Sequence, residues 1–100
     1  MEKERQLIWE NQAVTKLAES IAWIAETSEY QAEQVERAIL ERIEIIRNHP
    51  ERYPLDKYRA NNTGNCRACE THSYRIAYSY TKDRVTILRI RHVKQEPKNH

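Results

Sequence analysis

The 100-residue chain contains a single glycine, Gly64, and this scarcity excludes whole classes of nucleotide-binding protein. P-loops and dinucleotide-binding fingerprints need several glycines at fixed spacing, because the backbone must approach a phosphate closely. Apolar runs fall well short of the roughly 20 residues of a membrane-spanning helix, and the charged start at Met1 to Arg5 leads into no signal-peptide core. We therefore expect a cytoplasmic protein of one domain, residues 1–100, with no membrane contact and a flexible tail at 95–100.

Cysteine is almost as scarce, with Cys66 and Cys69 in the segment CRAC. The spacing is that of a C-x-x-C motif, and His72 follows closely. Residues three apart on a strand face opposite sides, however, and no second C-x-x-C is present. We expect two reduced thiols, no disulfide, no metal site and no cofactor.

Charge is unevenly distributed along the chain. Residues 1–56 contain 7 Lys/Arg and 12 Asp/Glu, a net charge of −5, whereas residues 57–100 contain 10 Lys/Arg and 3 Asp/Glu, a net charge of +7. Such polarity indicates one basic face directed at an anionic partner, commonly nucleic acid, although an accidental asymmetry of a solvated surface has the same composition. We predict an electropositive sheet face and an acidic helical hairpin.

Hydrophobic periodicity predicts two helices and four strands. The first helix has Asn11 as its expected N-cap and an inner stripe that begins at Val14. Ser28 with Gln31 is a capping-box pattern that opens the second helix, which must end before Pro50. The predicted strands are Arg5–Trp9, Cys66–Thr71, Ser73–Thr81 and Arg84–Lys94, with a connector at 51–65. The expected fold is α+β, in the order β-α-α-β-β-β, an antiparallel sheet with an α-helical hairpin packed on one face.

The segment HSYRIAYSY places Arg75 on one side of a strand and the aromatic and aliphatic residues Tyr74, Ile76 and Tyr78 on the other. The apolar side should pack against the helices, so Arg75 should stand on the open face. Trp9 and Trp23 are interpreted as packing residues.

The face of Glu70 depends on the turn that precedes Tyr74. A two-residue turn at His72–Ser73 puts Glu70 opposite Arg75, where the two could form a surface ion pair. A three-residue turn at 72–74 instead puts Arg67 and Cys69 on the face of Arg75. The sequence leaves both registers open.

These elements, with the segments NCRACETHSYRIAY and VTILRIRHVKQEP, resemble the RelE/ParE superfamily of bacterial type II toxin–antitoxin toxins. The resemblance covers nearly the whole chain and implies the fold predicted above. It also implies a cognate antitoxin as partner. RelE-like members cleave mRNA on the ribosome, and ParE-like members inhibit DNA gyrase without nuclease activity.

The RelE-like alternative makes the chain a candidate endoribonuclease, a ribosome-dependent mRNA interferase that uses the substrate 2′-hydroxyl without a metal. Arg75 matches the arginine that such toxins place at the scissile phosphate, and its fork geometry suits phosphate oxygens. Arg67 would assist, and Glu70 or His92 would carry protons. Ribosomal RNA would be contacted by the basic residues Lys57, Arg59, Arg91 and Lys94. In this scheme Arg75→Ala should abolish toxicity and leave folding nearly intact.

Two alternatives remain open at the level of sequence. A ParE-like gyrase inhibitor of the same fold would act through its α-hairpin and C-terminal tail. Cys69 occupies a position near which the nuclease pattern has a lysine, and His92 also occurs in non-nuclease members. A degenerate protein that only binds antitoxin is the second alternative.

Overall fold

The structure is a computed structural model that describes residues 4–59 and 64–95. The strands are β1 (Gln6–Trp9), β2 (Cys66–Thr71), β3 (Tyr74–Tyr80) and β4 (Arg84–His92), and the helices are α1 (Asn11–Thr27) and α2 (Glu29–Asn48). Short 3-10 turns follow α2 at Pro50–Arg52 and β4 at Val93–Gln95. Residues 96–100 of the predicted tail and residues 60–63 of the predicted connector lie outside the described residues.

The four strands form one sheet in the order β1-β4-β3-β2. Antiparallel pairing joins β2 to β3 and β3 to β4, as predicted. The predicted α+β fold in the order β-α-α-β-β-β is confirmed, with one difference in strand direction. The first strand pairs with β4 in parallel, from Gln6 opposite Arg84 to Trp9 opposite Ile87, so the sheet is mixed rather than antiparallel throughout. Short hairpins fix the direction of β3 and β4, but no short turn links β1 to its neighbour, so its direction was not determined by sequence.

The helical hairpin forms at Ser28, as the capping pattern predicted. The Ser28 hydroxyl accepts a hydrogen bond from the Gln31 backbone N–H at 3.1 Å. At the start of α1, however, the N-cap is Glu10 rather than Asn11, and its side chain makes no capping bond. The two helices therefore begin differently, with a side-chain cap on α2 alone.

The core lies between the hairpin and one face of the sheet, which we call the helix face. From the sheet it contains Ile76, Tyr78 and Ile87, all fully buried, and from α2 the predicted stripe that includes Ile39 and Ile43. Burial of each such side chain stabilises the fold by about 1.5–3 kcal/mol.

The inner stripe of α1 differs from its predicted composition. Ala13 is fully buried and Val14 is 49% exposed, so the stripe is displaced by one position at the start of the helix. Trp9 packs against the core as predicted, but Trp23 is 70% exposed and is not a packing residue. Neither helix in the described part of the chain combines the length and apolarity needed to cross a lipid bilayer.

Candidate functional site

Arg75 lies on the face of the sheet that is turned away from the helices, which we call the outer face. Its neighbours Tyr74 and Ile76 are buried in the core on the opposite side, so the predicted assignment of the two faces is correct. The expectation that Arg75 is open to solvent was wrong, because the residue is only 8% exposed. Something other than the helices must therefore cover it.

The cover is one stretch of the connector, residues 53–59. This segment runs beside β2, where Asp56 N–H donates to the Cys66 carbonyl at 3.0 Å and Ala68 N–H donates to the Pro54 carbonyl at 3.1 Å. A single antiparallel bridge joins Leu55 to Arg67 between those two bonds. The pairing satisfies part of the exposed edge of β2 and directs the chain onto the outer face.

Two carboxylates and an aromatic ring surround the Arg75 guanidinium. Its Nη2 lies 2.9 Å from Asp56 Oδ1, its Nη1 lies 3.5 Å from Glu70 Oε2, and its Cζ lies 4.9 Å from the centre of the Tyr58 ring. The Asp56 side chain is only 12% exposed, whereas that of Glu70 is 53% exposed. The Asp56 pair is thus a buried ion pair, whose disruption from one side is expensive, and the Glu70 contact is a weak surface contact.

The β2–β3 hairpin has a two-residue turn, the first of the two registers that the sequence left open. Glu70 lies directly opposite Arg75, and the two-residue turn consists of His72 and Ser73 with φ of 49° and 69°. Both central residues of a type I′ turn need positive φ, a backbone conformation that residues other than glycine and asparagine adopt only at a cost in free energy. The turn therefore places Glu70 beside Arg75 at some expense in backbone strain.

Arg67 lies on the helix face, opposite Tyr78 in the sheet. Its Nη1 donates to the Tyr53 carbonyl at 2.6 Å and to the Glu51 carbonyl at 3.3 Å, and its Cζ lies 5.8 Å from the centre of the Tyr80 ring. These bonds hold the 3-10 turn that follows α2 against the edge of the sheet.

His92 also lies on the helix face, opposite Tyr74, and the two rings meet edge to face with centroids 5.2 Å apart. Its Nδ1 accepts a hydrogen bond from the Lys94 backbone N–H at 3.1 Å. The structure therefore brings together two of the four predicted catalytic residues, Arg75 and Glu70, and separates both from Arg67 and His92 by the thickness of the sheet.

A cleft of about 340 Å³ lies next to Arg75 on the outer face, and we call it the arginine cleft. Two of the predicted nucleic-acid-binding residues, Arg59 and Arg91, line it, and Lys57 lies nearby with its Nζ 5.2 Å from the centre of the Tyr58 ring. Lys94 instead lines a separate cavity on the α1 side with His92.

Arg89 also lines the cleft and is exposed, and sequence reasoning missed it. Strict alternation from Ile87 would have placed Arg89 on the core side. A β-bulge shifts the register, because Ala77 pairs with Arg89 and Tyr78 pairs with Ile87, which leaves Leu88 as the extra residue. The sequence indicates this bulge, because the apolar residues Ile87 and Ile90 are three positions apart, whereas strict alternation would place residues of one face an even number of positions apart.

The outer side of α2 is acidic, in keeping with the predicted charge polarity of the molecule. Exposed glutamates follow one another along it at Glu33, Glu36, Glu41 and Glu44. The arginine cleft and this acidic side belong to opposite layers of the molecule.

The two cysteines are free, and their side chains lie on opposite faces of β2. Burial raises the pKa of the Cys69 thiol above its usual value of 9.0, and the nearby Arg42 opposes part of that shift. No group of three or more potential metal ligands occurs among residues 4–59 and 64–95.

Comparison with known proteins identifies the family. The family model for the ParE toxin of the type II toxin–antitoxin system parDE matches residues 7–97. No curated protein sequence matches the chain. Nine chains of solved structures do match. Among them, a chain of the chromosomal ParDE toxin–antitoxin system from P. aeruginosa superposes with a TM-score of 0.66 at 15% identity, over 89% of this chain and 96% of that chain. The protein described here therefore belongs to the ParE family and is the toxin of a type II toxin–antitoxin system.

Proposed function

We propose that this toxin inhibits DNA gyrase by direct binding and does not cut RNA. The observation that carries the proposal is the state of Arg75, the residue on which a nuclease mechanism would depend. Its guanidinium is buried against Asp56 and Glu70, and to bind a phosphate it would have to give up a buried ion pair. The distance of 2.9 Å between Arg75 Nη2 and Asp56 Oδ1 supports the same conclusion, as does the ParE family to which the chain belongs.

The distribution of proton carriers supports the proposal independently. Metal-free RNA cleavage needs a general base and a general acid within hydrogen-bond reach of the reacting atoms. Both must lie on the same face as the cation that stabilises the phosphate. Glu70 is the one predicted proton carrier on the face of Arg75, and it is itself in contact with that arginine. His92 lies on the other side of the sheet, against Tyr74.

We further propose that the cytoplasmic partner of this chain is a cognate antitoxin. The P. aeruginosa structure that shares the fold is of a chromosomal ParDE toxin–antitoxin system. A toxin of this kind needs a neutralising protein in the cell that makes it. Co-expression of the gene adjacent to the toxin gene should restore growth.

The second candidate function is ribosome-dependent cleavage of mRNA, and the arginine cleft is the observation that favours it. Arg59, Arg89 and Arg91 beside the Tyr58 ring would suit an RNA strand, since phosphates pair with arginine and bases stack on aromatic rings. In that case Asp56 would have to leave Arg75 on the ribosome.

Induction of the toxin in cells separates the two functions. Two readouts are needed in parallel, a reporter of the DNA-damage response and mapping of mRNA 5′ ends. We expect growth arrest with damage signalling and without codon-positioned mRNA cuts. Codon-positioned cuts without damage signalling would reverse the assignment, and the absence of both effects would indicate a protein that only binds antitoxin.

Glu70→Gln sharpens the comparison because it removes a proton carrier at an exposed position. A gyrase inhibitor should keep its toxicity in this variant, whereas a nuclease that uses Glu70 should lose it. Glu33→Gln on the outer side of α2 is the matched control, since it removes the same charge from an exposed helical position.

A further inference from the structure

The cavity that contains His92 and Lys94 is separate from the arginine cleft and shares no lining residue with it. It lies between α1 and the end of the sheet where β3 begins and β4 ends, and we call it the α1 cavity. Its volume is about 500 Å³, a size typical of sites that hold a small molecule. Tyr74 and His92, which line it, belong to the helix face, so Arg75 lies on the opposite face of the sheet.

Ser20, on α1, is a buried polar residue in the wall of this cavity. It is only 8% exposed, and its hydroxyl has no hydrogen-bond partner within residues 4–59 and 64–95. The hydroxyl oxygen is still reachable from the cavity, because the fully enclosed side-chain atom without a partner in those ranges is Arg67 Nε. Buried polar groups normally have partners, so the Ser20 hydroxyl is available to a polar atom of a ligand.

Three further hydrogen-bond donors indicate that the ligand is an anion. Lys16 and Lys94 line the cavity, and no carboxylate in the described part of the chain lies within ion-pair distance of either. His92 Nδ1 accepts the bond from the Lys94 N–H, so the ring proton belongs on Nε2, which is then a donor. Glu19 is the single carboxylate in the lining. A phosphate has enough oxygens to accept from a hydroxyl, an imidazole and two ammonium groups together.

Aromatic side chains form the rest of the wall. The buried Tyr74 ring meets the His92 ring edge to face and closes the base of the cavity. Trp23 lines the same cavity but is largely exposed, so the core does not use its indole. An indole face of this kind is a surface on which a nucleobase stacks. Phosphate donors and an aromatic surface in one cavity match the two halves of a nucleotide.

We propose that the α1 cavity binds a nucleoside monophosphate. The phosphate accepts hydrogen bonds from Ser20 and His92 and pairs with the two lysines. The base stacks on Trp23, and the carboxylate of Glu19 accepts from the ribose hydroxyls. The 5′ end of an oligonucleotide strand has the same chemistry, and the experiment below separates the two sources. The proposal is independent of whether the toxin acts on gyrase or on the ribosome.

Isothermal titration calorimetry of the purified full-length toxin tests the proposal, with adenosine 5′-monophosphate as the probe. Adenosine lacks the phosphate and ribose 5-phosphate lacks the base, so these two molecules are the controls for each half. We expect saturable, salt-sensitive binding of the monophosphate and binding of each fragment that is weaker by about tenfold or more.

Nuclear magnetic resonance of the wild-type protein locates the bound probe. The indole N–H resonance of Trp23 should shift on titration with adenosine 5′-monophosphate. That of Trp9, which packs against the core, should stay unchanged and is the internal control. This measurement needs no variant, so it decides the question even if a substitution prevents folding. An unchanged Trp23 resonance would contradict the proposal.

Charge variants test the phosphate half of the site. Lys16→Gln/Lys94→Gln should weaken binding of the monophosphate by about tenfold. Lys82→Gln/Arg84→Gln removes the same charge from exposed positions between β3 and β4 and should change the affinity by less than about twofold. Equal weakening in the two double variants would overturn the proposal, because attraction would then depend on net charge alone.

Two neutral substitutions test the hydroxyl and the stacking surface. Ser20→Ala should weaken the monophosphate by about fivefold and leave the affinity for adenosine unchanged. Trp23→Ala should weaken the monophosphate by about tenfold and leave ribose 5-phosphate unchanged. Tyr30→Ala removes another exposed aromatic side chain, on α2, and is the control that should change neither affinity.

Three outcomes would overturn the assignment to a free nucleotide. Adenosine that binds as tightly as the monophosphate would remove the role of the phosphate donors. Tighter binding of a 5′-phosphorylated oligodeoxyadenylate, with the same shift at Trp23, would assign the cavity to the end of a nucleic-acid strand. Self-association that Trp23→Ala abolishes, without binding of the monophosphate, would assign the surface to a second copy of the chain.

Discussion

Replacing Arg75 with alanine should destabilise the protein strongly. The substitution leaves the Asp56 carboxylate, 12% exposed, without the cation at 2.9 Å. Removing one partner of a buried ion pair costs about 3–5 kcal/mol, and we expect about 3 kcal/mol here because both side chains retain some contact with water. The contact with Glu70 adds less than about 1 kcal/mol, since that carboxylate is largely exposed.

Urea denaturation followed by circular dichroism measures this loss. For a domain of about 100 residues, about 3 kcal/mol corresponds to a fall in melting temperature on the order of 10–20 °C. Arg84→Ala, which removes an exposed arginine from the start of β4, is the control and should change stability by less than about 0.5 kcal/mol. Asp56→Ala/Arg75→Ala should be less destabilised than the sum of the two single variants, because the two side chains interact directly in the wild-type protein.

The refuting result is a folded Arg75→Ala protein with a free energy of unfolding within about 0.5 kcal/mol of wild type. That outcome would mean that the ion pair with Asp56 contributes nothing measurable, and it would restore Arg75 as an available phosphate ligand. A loss of toxicity in Arg75→Ala cannot by itself be attributed to catalysis, because the fold depends on the same side chain. Toxicity must therefore be compared at a temperature where the variant is folded.

Three other features of the structure lead to measurable outcomes. Ser73→Gly should stabilise the protein by about 1 kcal/mol, since φ at this turn position is 69° and glycine adopts it without strain; a decrease in thermal stability would contradict the type I′ turn. Tyr78→Phe should cost about 1–2 kcal/mol in urea denaturation, because the buried Pro50 carbonyl loses the hydrogen bond from the Tyr78 hydroxyl; an unchanged free energy of unfolding would mean that water replaces that bond. Burial raises the pKa of the Cys69 thiol, so this thiol stays protonated to a higher pH in the folded state than in the unfolded state. The free energy of unfolding should therefore fall as pH rises above 9.0. Cys69→Val should remove part of this fall, and a pH profile unchanged from wild type would refute the assignment.

Side-chain alternation was sufficient to predict the orientation of Arg75, because Tyr74, Ile76 and Tyr78 form an unbroken apolar row on the other side of β3. It could not predict what covers that arginine. Asp56 lies 19 residues away in a connector without hydrophobic periodicity, and its position depends on two backbone hydrogen bonds with the edge of β2. Composition and spacing carry no signal for such a path.

The candidate site was predicted in part for a related reason. Arg59 and Arg91 were recognised as basic, but Arg89 was hidden by the bulge at Leu88, which reverses the phase of β4. The roles expected for Arg67 and His92 came from resemblance and not from geometry. The pairing of β2 with β3 places Arg67 on the helix face, and the pairing of β3 with β4 places His92 there. Arg75 lies on the other face of the sheet.

DNA supercoiling by purified gyrase in the presence of the purified toxin is the most direct test of the proposed function. Relaxed plasmid, ATP and gyrase are incubated with increasing toxin, and a parallel reaction contains ribosomes paused on a defined mRNA. The proposal predicts concentration-dependent loss of supercoiling and an intact mRNA. Full supercoiling activity together with cleavage of the mRNA at the ribosomal A site would contradict it.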